Sequence, residues 1–234
     1  MPNAIITGAT QGIGKAICEK FLSQGFSLAV CARTSTDLDL IKQEWQIKYP
    51  SAVIAVYTAD LANKEQAIAF GKFAIEQLTT VDILVNNAGS FFPGNLADEP
   101  EGHLEHLMEV NVYSAYHITR AVLPIMKIAG AGHIFNMCSV ASLHAYPNGG
   151  AYSITKYALL GFSDNLRLEL MNDNIRVTAI SPGATYSRSW QASGLPAERF
   201  MQPSDIADMI WAAYNLSASA VVEHIVMRPM LGDL

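Results

Sequence analysis

Tyr152 and Lys156 stand four residues apart in the run Tyr152-Ser153-Ile154-Thr155-Lys156. On a helix that spacing puts a phenol and an ammonium on one face, one turn apart. A free phenol has a pKa of about 10 and is a poor proton carrier at neutral pH. A cation one turn away favours the phenolate and is expected to draw the pKa toward the working range. A position near a helix N-terminus acts in the same sense. The bare pair is common by chance. Ser139, thirteen residues earlier at the end of a strand-like run, makes it specific, because open α/β sheets hold their ligands at the carboxyl ends of their strands. Together the three side chains can do acid–base chemistry on a bound oxygen.

The elements that must position them follow from the apolar pattern. Short runs at 4–7, 26–32, 52–57, 81–85, 133–139, 175–181 and 224–228 are mostly continuous rather than alternating, as in parallel strands buried on both faces. Amphipathic helical stretches lie between them at 14–23, 38–48, 64–78, 102–126, 152–171 and 205–216. Asp37 and Asn63 are expected N-caps, and Gly25 an expected C′ residue. The rhythm predicts an α/β doubly wound fold, a seven-stranded, mainly parallel sheet flanked by helices on both faces. With 234 residues and no repeat or linker, residues 1–234 are expected to form one domain.

A second constellation opens the chain. Gly8, Thr10, Gln11, Gly12, Ile13 and Gly14 follow the first strand and begin the first helix. Glycines there let the backbone turn tightly and approach a pyrophosphate, whose charge faces the helix N-terminus. The spacing is GxxxGxG rather than the general GxGxxG. After the second strand, a carboxylate would take the adenosine ribose hydroxyls. Here Ala32 stands in that place, followed by Arg33, whose guanidinium can hold a 2′-phosphate bidentately. This favours NADP over NAD, a solvent-facing loop arginine being the alternative. Asp60-Leu61, after the third strand, would lie near the adenine.

Taken in order, Thr7-Gly8-x-x-x-Gly12-x-Gly14, Asp60, Asn86-Asn87-Ala88-Gly89, Asn111, Ser139, Tyr152-x-x-x-Lys156 and Pro182-Gly183 span essentially the whole chain. The sequence resembles the short-chain dehydrogenase/reductase family, in its single-domain, NADP-using form. The resemblance implies a Rossmann fold and hydride transfer between NADP(H) and a carbonyl or secondary alcohol. It implies that Tyr152 gives or takes the substrate proton, that Ser139 orients the carbonyl oxygen, and that Lys156 binds the nicotinamide ribose and lowers the tyrosine pKa. Asn111 would hold a water of a proton relay. Asn87, Ala88 and Gly89 would line the cofactor site. Pro182, Gly183, Thr185 and Ser187 would complete it, Ser187 keeping the hydroxyl of a family threonine. The resemblance also implies a homo-oligomer, dimer or tetramer, joined through the helices at 102–126 and 152–171. Two positions depart from the pattern: Gln11 stands where NADP users often carry a basic residue, and the C-terminus lacks the family's frequent Asp-Gly-Gly. A narrower reading is a 3-oxoacyl carrier-protein reductase, with Arg188 and Arg199 receiving an acidic carrier. A reading of another class is a non-catalytic NADP-binding sensor, which the presence of both Tyr152 and Lys156 opposes.

The remaining features bound the answer. A charged fraction of 15%, 50% hydrophobic residues and a mean hydropathy of +0.20 argue for a large core and against disorder. Net charge −6 with no Lys/Arg cluster lacks the footprint of nucleic-acid binding. No apolar run approaches the ~18–20 residues of a membrane span, and the first strand pattern leaves no room for a signal peptide. Cys18, Cys31 and Cys138 are expected as buried free thiols in a reducing, cytoplasmic setting. His103 and His106, with only Glu99 or Glu109 near in sequence, are too few for zinc, and no metal is expected. The segment 184–202 is the expected substrate lid. In it Trp190, Leu195, Phe200 and Met201 either wall the pocket or pack the loop down. His144 either lines the pocket or has no role. Substrate choice would rest on the loops at 90–100, 140–150 and 184–202.

Overall fold

The computed structural model describes residues 1–187 and 194–233. Seven strands, β1 (Asn3–Thr7), β2 (Ser27–Ala32), β3 (Ile54–Thr58), β4 (Ile83–Asn86), β5 (Gly132–Met137), β6 (Ile175–Pro182) and β7 (His224–Met227), form one sheet in the order β3-β2-β1-β4-β5-β6-β7. Every pairing is parallel. The order reverses between β1 and β4, which opens a crevice at their carboxyl ends.

The helices are α1 (Gly12–Ser23), α2 (Ser35–Lys48), α3 (Lys64–Leu78), α4 (His103–Met108), α5 (Ser114–Ala129), α6 (Gly150–Leu170) and α7 (Pro203–Tyr214). Neighbouring side chains of β1 point to opposite faces and so feed two cores. Ala4 and Ile6 pack with Ile17 and Phe21 of α1, Trp45 of α2 and Ile210 of α7. Ile5 packs with Phe70 of α3, Ile118 and Val122 of α5 and Leu166 of α6. Strands clad on both faces need continuous apolar runs, which is the pattern the sequence carries. The predicted architecture is therefore the one observed.

The local signals fared unevenly. Asn63 caps α3, its Oδ1 accepting from Gln66 N at 2.9 Å, and Gly25 follows α1 at φ 83°. Asp37 is not a cap: α2 starts two residues earlier behind Thr34, and Asp37 sits in its first turn, where its charge favours the helix dipole. The stretch predicted as one helix over 102–126 is broken. A π-helical turn at Glu109–Tyr113 joins α4 to α5. The three cysteines are buried and unpaired. Among the described residues no helix is long and apolar enough to cross a membrane. The outer surfaces around α5 and α6 carry exposed Tyr113, Tyr116, Ile128, Tyr157 and Leu168.

Candidate active site

The crevice is built on Thr7. Its Oγ1 accepts from the main-chain N–H groups of Asn87 and Ala88 at 2.9 and 2.8 Å, which draws the end of β4 onto the end of β1. The glycine turn follows, with Gly8 at φ 68° and Gly12 at φ 53°. A Cβ on Gly14 would lie 2.0 Å from the Gly8 carbonyl, so only glycine permits this packing. A Cβ on Gly12 would meet nothing within 4 Å, so that backbone faces open space. The N-cap residue Gln11 makes no side-chain capping bond, which leaves the first-turn amides of α1 available to an anion. Thr10 and Ile13 complete the turn, and both are partly exposed.

Gly8 N donates to Cys31 O at 3.0 Å, so the end of β2 borders the turn. Arg33 lies just beyond, exposed, with no ion pair or hydrogen bond among the described residues. Ala32 beside it offers no carboxylate. Asp60 is exposed, but its Oδ1 accepts from Ala62 N and closes its own turn. Leu61 is buried, its side chain in the core formed with Phe70, so only its backbone can face the crevice. These residues fit a phosphorylated dinucleotide: an open glycine backbone, an uncapped helix N-terminus and an unpaired guanidinium lie along one edge.

The acid–base groups stand across the crevice. Ser139 lies two residues past β5 and caps a 3₁₀ turn at Val140–Ser142, its Oγ accepting from Ala141 N at 3.2 Å. Tyr152 is in the first turn of α6, its phenol beside the Ser139 hydroxyl. Lys156, one turn on, is 4% exposed and donates from Nζ to Met137 O at 2.7 Å. Its Nζ is 5.6 Å from the centre of the Tyr152 ring. Burial pushes the lysine down to about 8. Burial also raises the Tyr152 phenol, and the Ser139 hydroxyl beside it only partly offsets that. The expected lowering is therefore not what the protein alone shows: desolvation is the largest influence on the phenol.

Asn111 sits within the π-helical turn, a distortion that often marks functional positions. Its Oδ1 accepts from Ser90 N at 2.7 Å, and its Nδ2 donates to Ser90 O and to Thr155 Oγ1, each at 3.0 Å. A Cβ on Gly89 would lie 3.2 Å from Asn111 Oδ1 and 3.5 Å from Lys156 Nζ, so Gly89 keeps that floor open. Thr185 is buried and donates to Gly183 O at 3.1 Å, while Ser187 is partly exposed. Pro182 ends β6 beside Ser139.

Other expected features fall elsewhere. Phe200 and Met201 are buried, with Met201 bridging Thr185 as a strand partner, while Leu195 is exposed. Arg188 and Trp190 lie outside the described residues. His144 is exposed. Phe92 stacks on His103 at 5.1 Å, and among the described residues no group of three His, Cys, Asp or Glu could hold a metal.

Two sets of contacts were not read from the sequence, although Asn86 and the 90–100 loop were named there. Asn86 Nδ2 donates to Thr119 Oγ1 and Asn136 Oδ1, and Asn136 Nδ2 to Ser163 Oγ, a buried amide chain beneath the site. An asparagine inside each of two apolar strands was its available signal. The second lies in the 90–100 loop, where Phe91 meets the Tyr152 ring edge-on at 4.9 Å.

This geometry has close counterparts. Residues 2–196 match the family model for short chain dehydrogenase. A sepiapterin reductase from Chlorobaculum tepidum is 31% identical over 98% of this chain and 97% of its own. Among solved structures, an alcohol dehydrogenase from the archaeon Thermococcus sibiricus, complexed with 5-hydroxy-NADP, superposes with a TM-score of 0.89 at 28% identity, covering 98% and 97% of the two chains. A metagenomic short-chain oxidoreductase in complex with NADP gives 0.84 at 28% identity, again over 98% and 97%. The chain belongs to the short-chain dehydrogenase family and is an oxidoreductase of that family.

Proposed function

We propose that the protein is an NADP(H)-dependent carbonyl reductase, or alcohol dehydrogenase in reverse, with Tyr152 as proton donor. One observation carries the assignment of the acid. Tyr152 stands in the first turn of α6 with the Ser139 hydroxyl beside its phenol and the Lys156 ammonium 5.6 Å from its ring centre, one helical turn away. The NADP complexes of two similar structures and the cradle of Gly8, Gly12, Gly14 and Arg33 support the cofactor. Asn87, Ala88 and Gly89 would line its middle, and Pro182, Gly183, Thr185 and Ser187 its nicotinamide end. Bound there, NADPH supplies a hydride to the carbonyl carbon. Ser139 orients the carbonyl oxygen, and Tyr152 passes its proton to that oxygen as charge develops. Lys156 holds positive charge against the phenolate that remains, and Asn111 fixes the wall beside it.

The narrower carrier-protein reading gains nothing from the relatives. Of its two arginines, Arg199 is engaged with the carbonyls of Gly232 and Asp233. A non-catalytic sensor would have no use for an aligned Ser139, Tyr152 and Lys156. The exposed apolar side chains on α5 and α6 support a homodimer or larger assembly, and light scattering should give at least twice 25.4 kDa. Buried free thiols suit a cytoplasmic setting. The test is NADPH oxidation across pterins, steroids, sugars and simple ketones, with Tyr152→Phe as control. That variant should lose about 10²–10⁴ in kcat and bind NADPH unchanged. A variant keeping more than half the activity overturns the role of Tyr152.

A further inference from the structure

The helix that carries Tyr152 and Lys156 begins without a cap of its own. Its N-cap residue is Gly149, which has no side chain to offer, and Gly150 follows at φ 32°. Glu99, fifty-two residues earlier in sequence, makes up the lack: the main-chain N–H of Ala151, the residue before Tyr152, donates to Glu99 Oε1 at 2.8 Å. The contact is closely fitted, since a Cβ on Gly150 would lie 2.0 Å from Glu99 Oε1 and 2.5 Å from Gly94 O. Gly94 N donates to Asn148 O at 3.1 Å on the other side of the same turn. The loop that ends in Glu99 is held at its start by the two Asn111 bonds to Ser90, and next to that anchor Phe91 lies edge-on against Tyr152. A single segment thus touches the helix of Tyr152 at a first-turn amide and at the Tyr152 ring.

We propose that Glu99 is a positioning residue for the reaction. By accepting the Ala151 N–H it sets where α6 starts and hence where the Tyr152 hydroxyl stands relative to Ser139. What matters on this account is the reach of the acceptor oxygen. The inference rests on Tyr152 acting as the proton donor. A misplacement of about 1 Å at a reacting group can cost ~10²-fold in rate, and a hydrogen bond from the neighbouring residue controls a shift of that size. The nucleotide cradle lies across the crevice and is not touched by Glu99.

The experiment compares Glu99→Ala, Glu99→Gln and Glu99→Asp with the wild type in NADPH-linked carbonyl reduction, alongside NADPH titration by fluorescence and a circular dichroism melt. Glu99→Ala should lower kcat about 10–100-fold with NADPH affinity within about twofold. Glu99→Gln keeps an oxygen at the same reach and should retain most of the activity. Glu99→Asp keeps the charge but falls a methylene short and should lose kcat. Full activity in Glu99→Ala, or the order Asp active and Gln impaired, overturns the proposal. If Glu99→Ala does not fold, the Gln-against-Asp order still decides it. Turnover by the wild type that is abolished in Tyr152→Phe, with Glu99→Ala intact, sinks this inference alone. A wild type that reduces no carbonyl with NADPH sinks the functional reading and this inference with it.

Discussion

Asn87 Nδ2 donates to the main-chain carbonyls of both Thr7 and Gly8, at 2.9 and 3.1 Å. The carboxamide closing β4 thereby holds the glycine turn after β1 in one shape, and Gly14 packs into what that shape leaves. A Cβ on Gly14 would meet Gly8 O at 2.0 Å and Asn87 Nδ2 at 2.5 Å.

Gly14→Ala should therefore displace the turn rather than merely crowd it. The expected cost is at least the ~1–3 kcal/mol of overpacking, with NADPH binding lost at micromolar protein. Gly12→Ala meets no atom but forces alanine to φ 53°, so it should be milder in stability. Thermal melts and fluorescence titration of the two variants check the order.

Cofactor choice is expected to turn on Arg33. Losing one charged hydrogen-bonding partner costs about 1.5–3 kcal/mol, or roughly 10–150-fold in affinity. Arg33→Ala should weaken NADPH by that factor and leave NADH nearly unchanged. Adding Ala32→Asp should reverse the preference, because a carboxylate takes the ribose diol and repels the phosphate. Calorimetry with both cofactors decides the matter, and equal affinity of the wild type for the two would remove Arg33 from the account.

Stability in acid should be limited by His133. Its Nε2 faces Thr178 Oγ1 at 2.7 Å, and Thr178 spends its own proton on Val222 O, so Nε2 is the donor and Nδ1 is left buried without a partner. A charged imidazole would have no counter-ion there, and burial holds the pKa at about 2. The unfolded chain binds a proton near pH 6.5, while the folded protein does not until about pH 2. The contribution is present in full above pH 6.5 and fades as pH falls toward 2, at up to about 1.4 kcal/mol per unit. Urea unfolding at stepped pH should show wild type and His133→Gln converging below pH 6. Parallel curves would exclude His133 as the cause.

Asn111→Ala should leave the Ser90 N–H and C=O without their Asn111 partners, at about 1–3 kcal/mol for each group that stays buried, while Thr155 keeps its bond to Tyr152 O. Hydrogen exchange should accelerate at Ser90 while β1 keeps its protection. Unchanged exchange at Ser90 would contradict the clamp.

How much of this was legible depends on the range of the interaction. The strands announced themselves because burial on two faces needs unbroken apolar runs, as at residues 28–32. Gly8, Gly12 and Gly14 were readable because a turn that close to a helix admits only glycine. Ser139, Tyr152 and Lys156 could be grouped because helix spacing and strand ends fix their neighbourhood. Glu99 could not be found this way: its partner is a backbone amide, which leaves no mark on residue type. The direction of the Tyr152 shift was misjudged for a related reason, since spacing gives the distance to a cation but not the depth of burial. The break at Glu109–Tyr113 was hidden because its residues are compatible with an unbroken helix.

That break has a consequence for the chain's tolerance of change. A π-helical turn holds one residue more than the regular helix it interrupts, so α4 and α5 are out of phase by that residue. A one-codon deletion between 109 and 113 would heal the helix and bring the two apolar stripes into register. It would also turn the residues at the former bulge by as much as ~100° around the helix axis and take the Asn111 amide away from Ser90. The mutational step that makes this segment most regular is the one that unties the wall of the site.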